Sequence, residues 1–75
     1  MGRLAGYSAR EVARVAEEDG WRFARQRGSH QIYEHPSFAK RLVIPDKRTL
    51  GEGLVRDLIG VMGLSVDEFL QRAKK

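Results

Sequence analysis

The sequence predicts a small α+β domain in which one helix, three antiparallel strands and a second helix follow one another, with a short helix after them. Two observations favour the helices: serine–x–x–glutamate capping boxes precede two of them, and apolar residues recur at helical spacing. A third favours the strands, because short alternating or β-branched segments lie between turn residues. At 75 residues, the chain is predicted to form one domain over residues 1–75.

The first helix is predicted over Ala9–Asp19, after a flexible lead-in over residues 1–7. Ser8 and Glu11 have the spacing of a capping box, in which each side chain bonds the other residue's backbone amide. Apolar residues then recur at helical spacing, and Gly20 suits the left-handed position that ends many helices.

Three strands are predicted next, over Trp21–Gln26, Ser29–His35 and Lys40–Pro45. Alternation in the first strand places Trp21 and Phe23 on the core side. The third strand contains the most β-prone run of the chain, and its terminal proline ends the pairing.

The connection between the first two strands leaves two registers open. If Arg27 and Gly28 form a two-residue turn, Arg25 lies opposite His30 at the end of the core-side surface. If Gly28 instead forms a bulge in a longer turn, His30 moves to the opposite face, because a slip of one residue exchanges the two faces of a strand. In either case Gly28 is expected to have a positive φ.

A polar loop is predicted over residues 46–53, before a second helix over Leu54–Met62 that stops at Gly63. Gly60 lowers the helix propensity in the middle of this segment, which suggests close packing against the sheet. A capping box that begins at Ser65 then opens the last helix.

Positive charge is concentrated in the middle of the chain. Residues 22–48 contain seven basic and two acidic side chains, a net charge of +5, whereas the whole chain carries +4. Such a segment is typical of proteins that bind a polyanion such as a nucleic acid. A solvated basic face without a partner is the alternative.

Composition also excludes several classes of protein. The chain has no cysteine, so it has neither a disulfide framework nor a thiolate zinc site. No apolar run is long enough to span a membrane, and we expect no secretory signal, because the first residues lack the apolar segment of one. We therefore expect a cytoplasmic protein with no membrane partner.

Gly28-Ser29-His30 is the segment that most suggests a catalytic role. Histidine is the side chain that gives or takes a proton near neutral pH, and only two are present. The first of them, His30, follows a tight turn in a basic segment, which would suit chemistry on a phosphodiester. A structural histidine at a turn is the alternative, and His35, next to Pro36, is expected to have such a structural role.

Gly28-Ser29-His30 is part of a longer pattern that resembles the HicA toxin family, also described as YcfA-like. The pattern reads G-W-x-x-x-R-Q-x-G-S-H-x-x-Y-x-H-P over residues 20–36. It continues with Ile44-Pro45 and with L-x-x-G-x-V-R-x-L-I-x-x-M-G-L-S-x-x-E-F over residues 50–69. The family commonly has a second histidine shortly after the Ile-Pro pair, whereas this chain has Lys47 nearby.

The resemblance implies a fold like that of double-stranded-RNA-binding domains, with the same α-β-β-β-α order. It implies an endoribonuclease that cleaves messenger RNA, a messenger-RNA interferase, held inactive by a HicB-like antitoxin protein. His30 matches the family's catalytic histidine. No small-molecule cofactor is implied.

Cleavage of RNA requires proton transfer and stabilisation of negative charge on the phosphorane. We expect His30 to act as general acid or base, and we expect Arg25, Ser29, Lys47 and Arg48 to bind RNA phosphate. No metal is expected, because the scheme requires none and the sequence has no convincing carboxylate cluster for magnesium. The alternative function is a non-catalytic RNA-binding module of the same fold, which needs no proton-transfer residue.

Overall fold

The structure is a computed structural model and describes residues 3–74 of the chain. The elements are α1 (Ala9–Glu18), β1 (Arg22–Arg27), β2 (His30–His35), β3 (Phe38–Pro45), α2 (Glu52–Met62) and α3 (Val66–Ala73). The strands form one antiparallel sheet in the order β1-β2-β3. This architecture confirms the predicted α+β fold with a C-terminal helix.

Both predicted capping boxes are present. Ser8 Oγ accepts from the Glu11 amide at 3.1 Å, and Glu11 Oε1 accepts from the Ser8 amide at 2.8 Å. Ser65 and Glu68 make the same pair of hydrogen bonds at the start of α3. Each box satisfies backbone donors that a helix N-terminus would otherwise leave without partners.

The helices cover one face of the sheet, where Tyr33, Leu42 and Ile44 belong to the main core cluster. The largest fully buried side chains include Trp21 and Phe69. Trp21 lies just before β1 and packs against the rings of His35 and Phe38, with centroid separations of 5.2 and 5.1 Å.

Residues 3–7 are anchored and do not form the flexible lead-in predicted for residues 1–7; Met1 and Gly2 lie outside the described residues. Leu4 is fully buried in the core. Tyr7 packs edge-on against Phe69, and its carbonyl accepts a 2.8 Å hydrogen bond from the Leu50 amide. Burial of one leucine contributes about 2 kcal/mol to holding this segment against the core.

Neither predicted turn is found in the β1–β2 hairpin, although His30 lies on the face away from the core, as the alternative with the longer turn expected. The turn is Gly28-Ser29, so Arg27 pairs with His30 and Arg25 pairs with Ile32. Gly28 has the expected positive φ, +58°, at the first turn position, as a type II′ hairpin turn requires. The prediction that Arg27 and Gly28 form the turn is therefore wrong by one residue.

Phe23 lies on the core side of the sheet as predicted, but it is not buried in the core, since 51% of its surface is exposed. A bulge between Phe23 and Arg25 shifts the register, and Phe23 pairs with Tyr33. The Phe23 and Tyr33 rings lie 5.7 Å apart, on the helix side of the sheet. Because β1 is an edge strand, its apolar side chain receives little cover there.

Gly60 does not pack closely against the sheet, contrary to the expectation from its place in α2. The glycine is exposed, and a Cβ atom built on it would meet nothing within 4 Å. By contrast, a Cβ on Gly63, the left-handed C-cap of α2, would lie 3.2 Å from the Phe38 ring. Among the described residues, no helix is long and apolar enough to cross a membrane.

Candidate functional site

The sheet has a second face, directed away from the helices, which we call the open sheet face. Side chains point alternately to the two faces along a strand. Tyr33, Leu42, Ile44 and the residues paired with them face the helices, so the residues next to them in each strand lie on the open sheet face. Its members are Arg22, Arg25, Arg27, His30, Ile32, Glu34, Arg41 and Val43. All of them except Ile32 are exposed.

His30 lies at one end of this face. It is the first residue of β2 and has Arg27 of β1 on one side and Pro45 of β3 on the other. Arg25 lies on the same face, two pairs further along the ladder, opposite Ile32. The ring of His30 is therefore accessible and has two arginines of the neighbouring strand on its own face.

The open sheet face is positively charged, with four arginines and one glutamate. That glutamate, Glu34, forms an ion pair with Arg41, with 3.4 Å between Nε and Oε2. Both side chains are more than half exposed, so the pair contributes little stability. The three arginines of β1 are left to present positive charge along the edge strand beside His30.

The loop after β3 lies against the hairpin turn that precedes His30. The Asp46 amide donates a 2.7 Å hydrogen bond to the Ser29 carbonyl, and the Ala9 amide donates a 2.9 Å bond to the Lys47 carbonyl. These bonds hold the loop between the turn and the N-terminus of α1. Lys47 and Arg48 are exposed there.

The predicted phosphate-binding residues thus fall into two places. Arg25 lies on the open sheet face, while Ser29, Lys47 and Arg48 belong to the turn and loop at the end of the sheet where β2 begins. His30 is common to both places. The sequence analysis did not identify Arg27 as a site residue, because it assigned Arg27 to the turn. In the structure Arg27 belongs to β1 and lies opposite His30.

His35 is held by two hydrogen bonds. The Ser37 amide donates to Nδ1 at 3.0 Å, so Nδ1 carries no proton, and Nε2 donates to the Asp19 carbonyl at 3.1 Å. The ring also packs against Trp21 and, at 4.8 Å between centroids, against Phe38. Both nitrogens are therefore occupied, which gives His35 the structural role expected of it.

Tyr33 is a titratable group whose surroundings change its acidity. Its side chain lies on the helix side of the sheet, next to α1, and the residue is 4% exposed. Burial raises the pKa of the Tyr33 phenol, and the negative charge of Glu17 raises it further. The hydroxyl therefore keeps its proton at neutral pH and can donate a hydrogen bond.

No group of three or more histidine, cysteine, aspartate or glutamate side chains within residues 3–74 is arranged to hold a metal ion.

Comparison with known protein families gives a match over most of the chain. Residues 9–64 match the family described as the HicA toxin of bacterial toxin–antitoxin systems. This range includes α1, the whole sheet and α2, and with them the His30 end of the open sheet face. A search of curated proteins gave no significant match. Since the family match spans well over half of the sequence, the chain belongs to the HicA toxin family of bacterial toxin–antitoxin systems.

Proposed function

We propose that this toxin is a metal-independent endoribonuclease that cleaves messenger RNA at the open sheet face, with His30 as general acid or base. The observation that carries the proposal is the pairing of an exposed histidine with an arginine directly across the strand, Arg27. Proton transfer and positive charge are two requirements of phosphodiester cleavage.

The reaction begins with the RNA's own 2′-hydroxyl. It loses its proton and attacks the adjacent phosphorus, the bond from phosphorus to the 5′-oxygen breaks, and that oxygen gains a proton. A 2′,3′-cyclic phosphate and a 5′-hydroxyl result, so no water is consumed in this step. A single histidine carries out one of the two proton transfers, and water carries out the other, which makes the enzyme slow.

Positive charge on the same face would stabilise the phosphorane. Arg27 pairs with His30 in the ladder, and Arg25 lies two pairs further along, on the same face. Guanidinium groups bind phosphate oxygens through two parallel hydrogen bonds, which fixes the phosphate as well as neutralising it. Ser29, Lys47 and Arg48 extend the phosphate contacts around the end of the sheet.

Toxin–antitoxin pairing implies a protein that neutralises this chain. We propose that a HicB-like antitoxin covers His30 and the arginines of β1. An acidic surface would be complementary to these side chains, and its association should weaken as salt increases. Messenger RNA as the substrate places the toxin's action in the cytoplasm.

The test is cleavage of a labelled single-stranded RNA in excess EDTA by the wild type and by His30→Ala. Arg3→Ala is a matched control, since Arg3 is an exposed arginine that pairs with Asp67, a residue of α3. All proteins are purified identically, so a contaminating nuclease would cut with each of them. We expect cleavage by the wild type and Arg3→Ala, and none by His30→Ala with its RNA affinity retained.

A non-catalytic RNA-binding module is the second candidate, favoured by the segment after Pro45, which has Lys47 and no histidine. Binding of RNA by all three proteins without cleavage would support it and reject the nuclease. Cleavage by His30→Ala at the wild-type rate would reject the assignment of His30.

A further inference from the structure

A groove lies on the helix side of the sheet, between α1 and the start of β2, and we call it the α1–β2 groove. Its volume is about 540 Å³. Its polar lining residues are Arg10, Arg14, Glu17, Gln31, Tyr33 and Asp46. Ligand sites in proteins commonly have volumes of about 300–1,000 Å³, so the groove has room for one nucleotide.

The lining combines two kinds of group. Arg10 and Arg14 are one helical turn apart on α1, so their side chains project from the same face. Arg14 is engaged, because it pairs with Glu18 at 3.4 Å and donates to the Ala73 carbonyl at 3.3 Å. Arg10 is exposed and is the cation better placed to bind a phosphate.

The remaining groups have hydrogen-bonding character that suits a nucleobase. Gln31 offers an amide donor and acceptor, and Glu17 and Asp46 offer carboxylate acceptors. The Tyr33 hydroxyl donates to Gln31 Oε1 at 3.5 Å, the outer limit of a hydrogen bond, so a ligand acceptor at a shorter distance would compete for its proton. The edges of an unpaired base present donors and acceptors of these kinds.

The α1–β2 groove is adjacent to the proposed cleavage site, at the end of the sheet where β2 begins. Gln31 follows His30 on β2, and Asp46 follows Pro45, the residue that pairs with His30 on β3. The Asp46 amide bonds the Ser29 carbonyl at 2.7 Å, which ties this wall of the groove to the hairpin turn. A second groove, which contains Lys47 and Arg48, shares Arg10 and Asp46 with the first. Cationic groups therefore continue around the end of the sheet.

We propose that the α1–β2 groove binds a nucleotide of the RNA next to the one that is cut, with its phosphate at Arg10 and its base against Gln31 and Tyr33. This inference rests on the proposed function, since it places the same RNA strand around the end of the sheet. It gives α1, a helix on the other side of the sheet from the open sheet face, a part in recognising the sequence of the substrate.

The test measures binding separately from cleavage. In a His30→Ala background, the affinity for short fluorescein-labelled oligo(A), oligo(C) and oligo(U) RNA is measured by fluorescence anisotropy. We expect Arg10→Ala to weaken binding of all three by about tenfold, the loss of one charge-assisted hydrogen bond. Arg3→Ala removes the same charge elsewhere and should change the affinity by less than about twofold.

Loss of a contact to the base should change the preference among the three RNAs, whereas loss of the phosphate contact weakens binding of all three. Gln31→Ala and Tyr33→Phe should alter the ratios among the three affinities by at least about threefold, the effect of a lost neutral hydrogen bond. Tyr33→Phe retains the buried ring, so the fold is kept, and a thermal melt of each variant checks this. Equal effects of Arg10→Ala and Arg3→Ala, or unchanged ratios in both base variants, would overturn the proposal.

The measurements distinguish failure of the proposed function from failure of the groove proposal. If the wild type cleaves RNA while the Arg10, Gln31 and Tyr33 variants bind as the parent does, only the groove is rejected. If the wild type binds without cleaving and Arg10→Ala still weakens binding, the groove stands and the nuclease is rejected.

Discussion

Arg27 lies directly across the β1–β2 ladder from His30, at the last pair before the Gly28-Ser29 turn. The two side chains therefore share the open sheet face, and the short turn limits how far they can separate. A strand pair holds its side chains more firmly than a loop does, which suits a site that must present a proton and a charge to one phosphate.

We expect Arg27→Gln to lower the rate of RNA cleavage by about 10- to 100-fold, because it removes a charge-assisted contact to the developing phosphorane. Affinity for uncleaved RNA should fall by less, since the contact strengthens in the transition state. Single-turnover cleavage and anisotropy measure the two effects, with Arg3→Gln as the matched control. A variant that cleaves as fast as this control would show that Arg27 does not act on the phosphate.

His35 provides a contrast between a structural and a functional histidine. His35→Ala loses two hydrogen bonds and the packing against Trp21 and Phe38, so we expect the free energy of unfolding to fall by about 2–3 kcal/mol. His30→Ala changes an exposed residue and should alter it by less than about 0.5 kcal/mol. Urea denaturation of both variants measures the difference, and equal losses would contradict these roles.

The helices were the part of the fold that local sequence could predict. Ser8 with Glu11, and Ser65 with Glu68, place the starts of α1 and α3 to the residue, because capping depends on atoms three positions apart. The β3 strand extends two residues further towards its N-terminus than predicted, to Phe38, since its pairing there depends on His35 and not on its own composition.

The candidate site was only partly predictable for the same reason. Gly28-Ser29-His30 identifies the histidine, but its face depends on the register, and the bulge after Phe23 has no local signal such as a glycine. Leu4 and Tyr7 are apolar, which in retrospect indicates burial of residues 3–7. Whether a short apolar segment packs or stays free depends on the surface that the rest of the chain offers.

Two glycines are expected to respond in opposite directions to alanine. Gly60 is exposed in the middle of α2 with open space at its Cβ position, so Gly60→Ala should stabilise the fold by about 0.5–1 kcal/mol. Gly20 has φ +98°, and a Cβ there would lie 2.9 Å from His35 Nε2, so Gly20→Ala should cost at least about 1–2 kcal/mol. Urea denaturation provides both values; loss of stability in Gly60→Ala would indicate packing at that position.

The raised pKa of the Tyr33 phenol predicts that the stability of the fold depends on pH in the alkaline range. Burial raises the pKa of its phenol above the ordinary value of 10.0, and Glu17 adds to the effect. The folded protein therefore holds this proton to a higher pH than the unfolded chain does. Stability from this group is fully present below pH 10.0 and is lost as the pH rises through the folded-state pKa.

We therefore expect Tyr33→Phe to lose less stability than the wild type when the pH is raised above 10.0. Glu17→Gln should fall between the two, because it removes the smaller of the two causes and leaves burial in place. Urea denaturation at a series of pH values measures the three curves, and the other titrating groups cancel in the comparison. Parallel curves for the wild type and Tyr33→Phe would mean that the phenol ionises as readily in the folded protein as in the unfolded chain.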